Sequence, residues 1–149
     1  MDLEYEIYVD APAEKVWEAL VTPEGTKACF FGTELRSSLE PGAPFEYVGP
    51  GNDGDETVHV HGEIIAAEPN RKLSYTEQAG PSYIKDEAPK PTRVTFTLEP
   101  AGSCTKLTLV NDRLGENHPS QEQTKSAWPM MLSSLKTWCE TGKTLDLGW

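Results

Sequence analysis

Leu3, Tyr5, Ile7 and Val9 alternate with Glu4, Glu6, Tyr8 and Asp10 at the head of the chain, the period of a strand with one buried and one wetted face. The spacing then changes. Ala13, Val16, Trp17 and Leu20 follow at helical intervals, with Pro12 in the first turn, where its missing N–H costs nothing. Thr22 and Pro23 repeat the device and predict a second short helix ending near Phe30 or Phe31. From Gly32 the period returns to two, and turn residues cut the chain into strands over 33–39, 44–49, 57–68, 72–79, 92–99 and 104–112. The breaks at 40–44, 69–71 and 100–103 suit antiparallel hairpins, whereas 80–91 is long. Within 120–142, Trp128, Met131, Leu132, Leu135, Trp138 and Cys139 recur at i, i+3, i+4 and i+7, one face of a long amphipathic helix.

Strand, two short helices, six strands and a long helix make an α+β order, not an alternating βαβ chain. An antiparallel sheet of this size twists into a concave surface, and only the terminal helix is long and amphipathic enough to fill it. Burying its six apolar side chains contributes on the order of 10 kcal/mol before chain entropy is subtracted. Pro129 inside the stripe predicts a kink, or a helix that starts just before it.

The 149 residues fit one domain, 1–149, with a sizeable core. Lys and Arg number 13 against 24 Asp and Glu, and the net charge of -11 repels phosphate backbones and anionic membrane surfaces. Nucleic acid is therefore excluded as an expected partner. The opening residues lack a charged segment followed by an apolar one, and no run approaches the roughly 20 apolar residues of a membrane span. A cytoplasmic location without membrane insertion is expected. Cys29, Cys104 and Cys139 are odd in number, widely spaced and without a CxxC pair, so they read as ordinary small apolar side chains kept as buried thiols.

Candidate chemistry is sparse. His59, His61 and Glu63 share one face of a strand, but residues two apart lie about 6.7 Å from each other, too far for a straight row to converge on one ion. They are read as solvated or interior side chains, and no metal ligand is assigned. His118 with Asp112 or Glu116 lacks a nucleophile elbow, so no catalytic residue is assigned either. Arg36, Arg71, Arg93 and Arg113 fall on or beside strands, mostly on the outer face, where an inward one would pair with an acidic ligand. The glycine- and aspartate-rich 49–55 lacks the spaced ligands of a calcium loop and reads as a hairpin tip. Segments 118–128 and 80–91 are candidates for a lid, and Leu145, Leu147 and Trp149 for a docking tail.

Three stretches resemble one family: APAEKVWEALVTPE at 11–24, GEIIAAEPNRKLSYT at 62–76 and, most specifically, WPMMLSSLKTWCETG at 128–142. The chain resembles the helix-grip (SRPBCC) superfamily of START and Bet v 1 domains, and within it the branch of activator of Hsp90 ATPase homologue 1-like proteins. That resemblance implies a curved antiparallel sheet of six to seven strands wrapped around a long C-terminal helix, often with an apolar cavity between them. It implies a small hydrophobic or aromatic ligand, no cofactor, a monomer or homodimer, and as an alternative a protein-contact role toward a chaperone. A cyclase or hydrolase acting on an apolar substrate is a third reading. Expected to line the cavity, or else fill it, are Trp17, Phe30, Phe31, Phe45, Tyr75, Phe96, Trp128, Met131, Leu132, Leu135 and Trp138. An empty void of about 300 Å³ would forfeit several kcal/mol, so an open cavity of that size would need a use.

Overall fold

A computed structural model describes residues 3–30, 32–50, 56–79, 92–112 and 121–145. The period-two segments form β1 (Leu3–Val9), β2 (Glu34–Arg36), β3 (Pro44–Pro50), β4 (Glu56–Glu68), β5 (Lys72–Ala79), β6 (Thr92–Ala101) and β7 (Cys104–Asp112). Three helices accompany them: α1 (Ala13–Val21), α2 (Pro23–Cys29) and α3 (Gln121–Thr141). All pairings are antiparallel, in the order β1-β7-β6-β5-β4-β3-β2. The chain starts at one edge of the sheet, crosses through α1 and α2 to the other edge, and meanders back until β7 meets β1. This is the helix-grip arrangement.

Alternation along the strands divides the two faces. On β6, Thr92, Val94, Phe96 and Leu98 are buried while the residues between them are partly exposed; on β7, Thr105, Leu107, Leu109 and Asn111 repeat the pattern. α3 adds Trp128, Leu132, Leu135 and Cys139 to the same core, so the terminal amphipathic face is buried as its spacing predicts. Thr22 caps α2 by accepting the Gly25 N–H at 3.0 Å, and Thr26 reaches from α2 to accept the Leu35 N–H at 2.9 Å, fixing β2 beneath the helix.

Two expectations are corrected. The strand expected over 33–39 shrinks to Glu34–Arg36: the Ser37 hydroxyl donates to the Pro44 carbonyl at 2.8 Å and accepts the Leu39 N–H at 3.0 Å, replacing ladder bonds with local ones. The long helix runs through Pro129 from Gln121, so it does not start just before the proline and 121–128 is helix rather than loop. Pro129 has no N–H for the Lys125 carbonyl, and the Tyr5 hydroxyl of β1 approaches that carbonyl at 3.4 Å in its place. Residues 80–91, Phe31, Arg113, Glu116, His118 and the tail from 146 lie outside the described residues, as does most of the hairpin tip, 51–55.

One polar anchor lies inside this core. The indole N–H of Trp128 donates to Asn111 Oδ1 at 3.1 Å, while the Asn111 amide donates to the Thr92 hydroxyl at 3.1 Å and the Arg93 carbonyl at 2.9 Å. A second set of bonds holds the far end of α3. Lys136 Nζ donates to the Tyr8 carbonyl at 2.8 Å and to Glu140 at 2.6 Å, and the Asp10 N–H donates to the same Glu140 oxygen at 2.8 Å. Gly142, at φ 76°, ends the helix with its N–H on the Trp138 carbonyl at 2.8 Å.

Asn111→Leu is expected to destabilise the protein by about 2 kcal/mol, because it leaves the Trp128 N–H and the Thr92 hydroxyl unsatisfied; urea unfolding followed by tryptophan fluorescence measures it. An unchanged midpoint would mean that the indole finds water there. The Asp10 N–H, and then Lys136, hold the Glu140 carboxyl below its usual range. Its stabilisation is therefore complete above the unfolded value of 4.5 and is lost as pH falls through the lower folded value. Glu140→Gln should cost under about 1 kcal/mol at neutral pH, since the pair is partly solvated, and the deficit should vanish in acid. A deficit that does not shrink as pH falls below 4.5 would contradict this.

Candidate functional site

The inner face of the sheet carries aromatic rings in continuous edge contact. Phe30 meets Tyr47 at 5.9 Å between ring centres, Tyr47 meets Phe45 at 5.6 Å, and Phe45 meets Tyr75 at 4.6 Å. Tyr75 meets Phe96 at 6.4 Å, and Phe96 meets Trp128 of α3 at 6.0 Å. T-shaped and tilted geometries of this kind add to the burial energy of each ring. Phe30, Phe45, Tyr75, Phe96, Trp128, Leu132 and Leu135 are all buried in this one cluster; Trp17, Met131 and Trp138 are partly buried against it. Ten of the eleven expected residues thus join a common core, and Phe31 lies outside the described residues.

Two grooves open beside this layer. One, of about 230 Å³, lies between β1 and α3 and is lined by Tyr5, Ile7, Pro129, Leu132 and Lys136 among others. The other, of about 310 Å³, lies at the β2–β3 edge and is lined by Arg36, Ser37, Ser38, Pro44, Phe45 and Glu46. Phe45 belongs to both the aromatic layer and this second groove.

Three polar groups sit on the inner face near Phe45, and of these the sequence pattern singles out only Tyr75. Tyr47 and Tyr75 are buried, and their hydroxyls share a hydrogen bond of 3.2 Å. Burial pushes both phenols up, with the charge of Glu77 raising them further, so both hydroxyls remain protonated donors at neutral pH. Glu77 itself continues the inward series Leu73, Tyr75, Glu77 along β5 and is half-buried. Burial pushes its carboxyl up to about 7. Among the described residues, no hydrogen bond or ion pair reaches that carboxylate. A signal for both missed groups is present in the sequence: Tyr47 and Glu77 each stand two residues beyond an inward aromatic, on the parity that faces the core.

Register brings the Phe45 ring onto the backbone beside Glu77. Phe45 pairs with Gly62, Gly62 with Glu77, and Glu77 with Thr92, so a glycine stands between the ring and the carboxylate. A Cβ at Gly62 would lie 1.9 Å from the Thr76 carbonyl oxygen and 2.9 Å from the Phe45 ring. Phe45 leans over the bare backbone there.

Other candidates are placed elsewhere. His61 pairs with Glu46 on the opposite parity, and the described residues contain no group of three side chains able to hold a metal ion. Arg36 pairs with Glu56 at 2.9 Å, and Arg93 makes a two-pronged pair with Asp112, so neither guanidinium enters the core. Cys29 and Cys139 are buried free thiols that burial pushes up to about 12 and about 11; Cys104, expected to be buried, is partly exposed and approaches Asp10 at 3.7 Å.

The fold is shared with solved structures. The solution structure of the Aha1 dimer from Colwellia psychrerythraea is 19% identical over 96% of this chain and 98% of that one, with a TM-score of 0.73. A Cytophaga hutchinsonii protein is 28% identical over 93% of this chain and 92% of its own, with a TM-score of 0.72. DynU16, from the dynemicin biosynthetic locus, is 24% identical over 96% of this chain, with a TM-score of 0.75, but the chain spans only 48% of DynU16. No functionally curated protein matches the sequence. The family described as activator of Hsp90 ATPase homolog 1-like protein matches residues 10–140, nearly the whole chain, and the chain belongs to that family.

Proposed function

We propose that this chain binds a small apolar or aromatic molecule on the concave face of its sheet, beneath α3, as a binding module and not as an enzyme. The observation that carries the reading is the hydroxyl pair of Tyr47 and Tyr75, set among apolar rings on the inner face. A largely apolar surface with a few convergent polar groups is the usual composition of a small-molecule site. The rings close on one another, so a ligand enters by parting them. Phe45 is the ring nearest an opening, since its residue lines the β2–β3 groove while its side chain is buried.

The protein-contact reading has less support. Among the described residues the large apolar side chains that stand exposed are Tyr8 and Ile65, on β1 and β4, which are separated by β7, β6 and β5 in the sheet. Two such isolated side chains do not make the contiguous patch that a stable protein partner covers. No described helix is long and apolar enough to cross a membrane.

Naphthol, a two-ring aromatic with one hydroxyl, is a suitable probe. NMR titration of the labelled protein should shift the resonances of Phe45, Tyr47, Tyr75 and Phe96 together, and Tyr75→Phe should weaken binding about fivefold by removing one partner of the hydroxyl pair. Shifts confined to the outer face, or none at millimolar probe, would remove the proposal.

A further inference from the structure

Glu77 is the one inward carboxylate of the described sheet that packing does not explain. A Leu or Gln there would fill the same place on β5 without placing a charge next to two buried tyrosines. Desolvating an unpaired carboxylate is costly, and such a group either takes up a proton or is stabilised when a cation pairs with it.

No cation of the protein takes that role among the described residues. On β4 the residues sharing its face are Val60 and Gly62, while His61 and Glu63 fall on the other parity. On β6 Thr92 shares it, while Arg93 falls on the other parity and pairs with Asp112. On β3 Tyr47 shares it, while Glu46 points away. Among the described residues paired with these strands, the titratable groups on that face are thus Tyr47 and Tyr75, both of which stay neutral, while His59 lies in the register irregularity of β4 and has an interaction of its own.

Resting on the binding reading above, we propose that Glu77 is the recognition carboxylate for a protonated amine, and that the ligand is an aromatic or apolar molecule carrying one basic nitrogen. Its apolar body takes the place over Gly62 that the Phe45 ring fills in the free protein, and its nitrogen donates to Glu77, flanked by the rings of Tyr47 and Tyr75. Charge-assisted hydrogen bonding supplies the head-group contact, and the ring faces add cation–π attraction. Partial exposure of Glu77 leaves solvent access to the carboxylate, the route a water-soluble cation needs. The net charge of -11 raises the local concentration of cations and disfavours anionic ligands.

Phenylbutylamine, phenylbutanol and phenylbutyrate share one apolar body and differ only in head-group charge. Titrated into the full chain by calorimetry or NMR at about pH 8.5, the amine should bind about tenfold more tightly than the alcohol, and the carboxylate most weakly. Burial pushes the Glu77 carboxyl up to about 7, so amine affinity should fall as pH drops through that range and the charged form disappears. Affinity for the alcohol should stay level. Glu77→Gln should abolish the amine's advantage over the alcohol and flatten the amine's pH profile. Equal affinities of amine and alcohol, or an amine preference surviving in Glu77→Gln, would overturn this inference and leave the binding reading standing. Failure of all three compounds to bind at millimolar concentration would overturn both. Should Glu77→Gln fold poorly, the wild-type pH profile decides alone: a fall in amine affinity on acidification through about 7 supports the inference, and a level profile overturns it.

Discussion

The hydrogen bond between the Trp128 indole and Asn111 sets where the C-terminal helix lies on the sheet. A fully buried asparagine is expensive unless all its groups are used, and Asn111 uses them across β6, β7 and α3 at once. Sliding α3 by one turn would break the indole bond, leave the Thr92 and Arg93 bonds without their third partner, and lift Trp128 off Phe96. Apolar contacts alone tolerate such shifts; this polar node does not. The Lys136–Glu140 latch on Tyr8 and Asp10 fixes the other end of the helix, and the Tyr5 hydroxyl meets the carbonyl that Pro129 leaves free. With its ends located in this way, the middle of α3 needs only apolar complementarity.

Much of this architecture is written in local periodicity. The alternation in β6 and β7 is nearly perfect, since each strand has one wholly buried face, and the stripe in α3 is equally plain. Where side chains bond to nearby backbone, the pattern misleads: Ser37 takes over the ladder bonds of β2, so a seven-residue alternation yields a three-residue strand. Pro129 misleads in the other direction, because the helix around it is held by tertiary contacts that outweigh the lost donor.

The candidate site is legible in the sequence only in part. Type and parity pick out the aromatic residues, and the structure gathers them. Tyr47 and Glu77 have the same parity, yet their polar tips give them the appearance of solvent-facing residues. Asn111 is hidden for the same reason at the end of β7. Deciding which polar side chain faces inward requires the register of neighbouring strands, which depends on bulges such as those at Tyr47/Val48 and Ile64/Ala66 and is not visible in any one segment.

β1 closes one margin of the described sheet, the place through which foreign strands add to β proteins, and α3 lies beside it with Lys136 on the Tyr8 carbonyl. Glu4 and Glu6 stand exposed along that margin. Two copies pairing there in antiparallel fashion would set these carboxylates against their own duplicates in a chain already strongly acidic. Like charges facing one another across that margin would oppose edge-to-edge pairing.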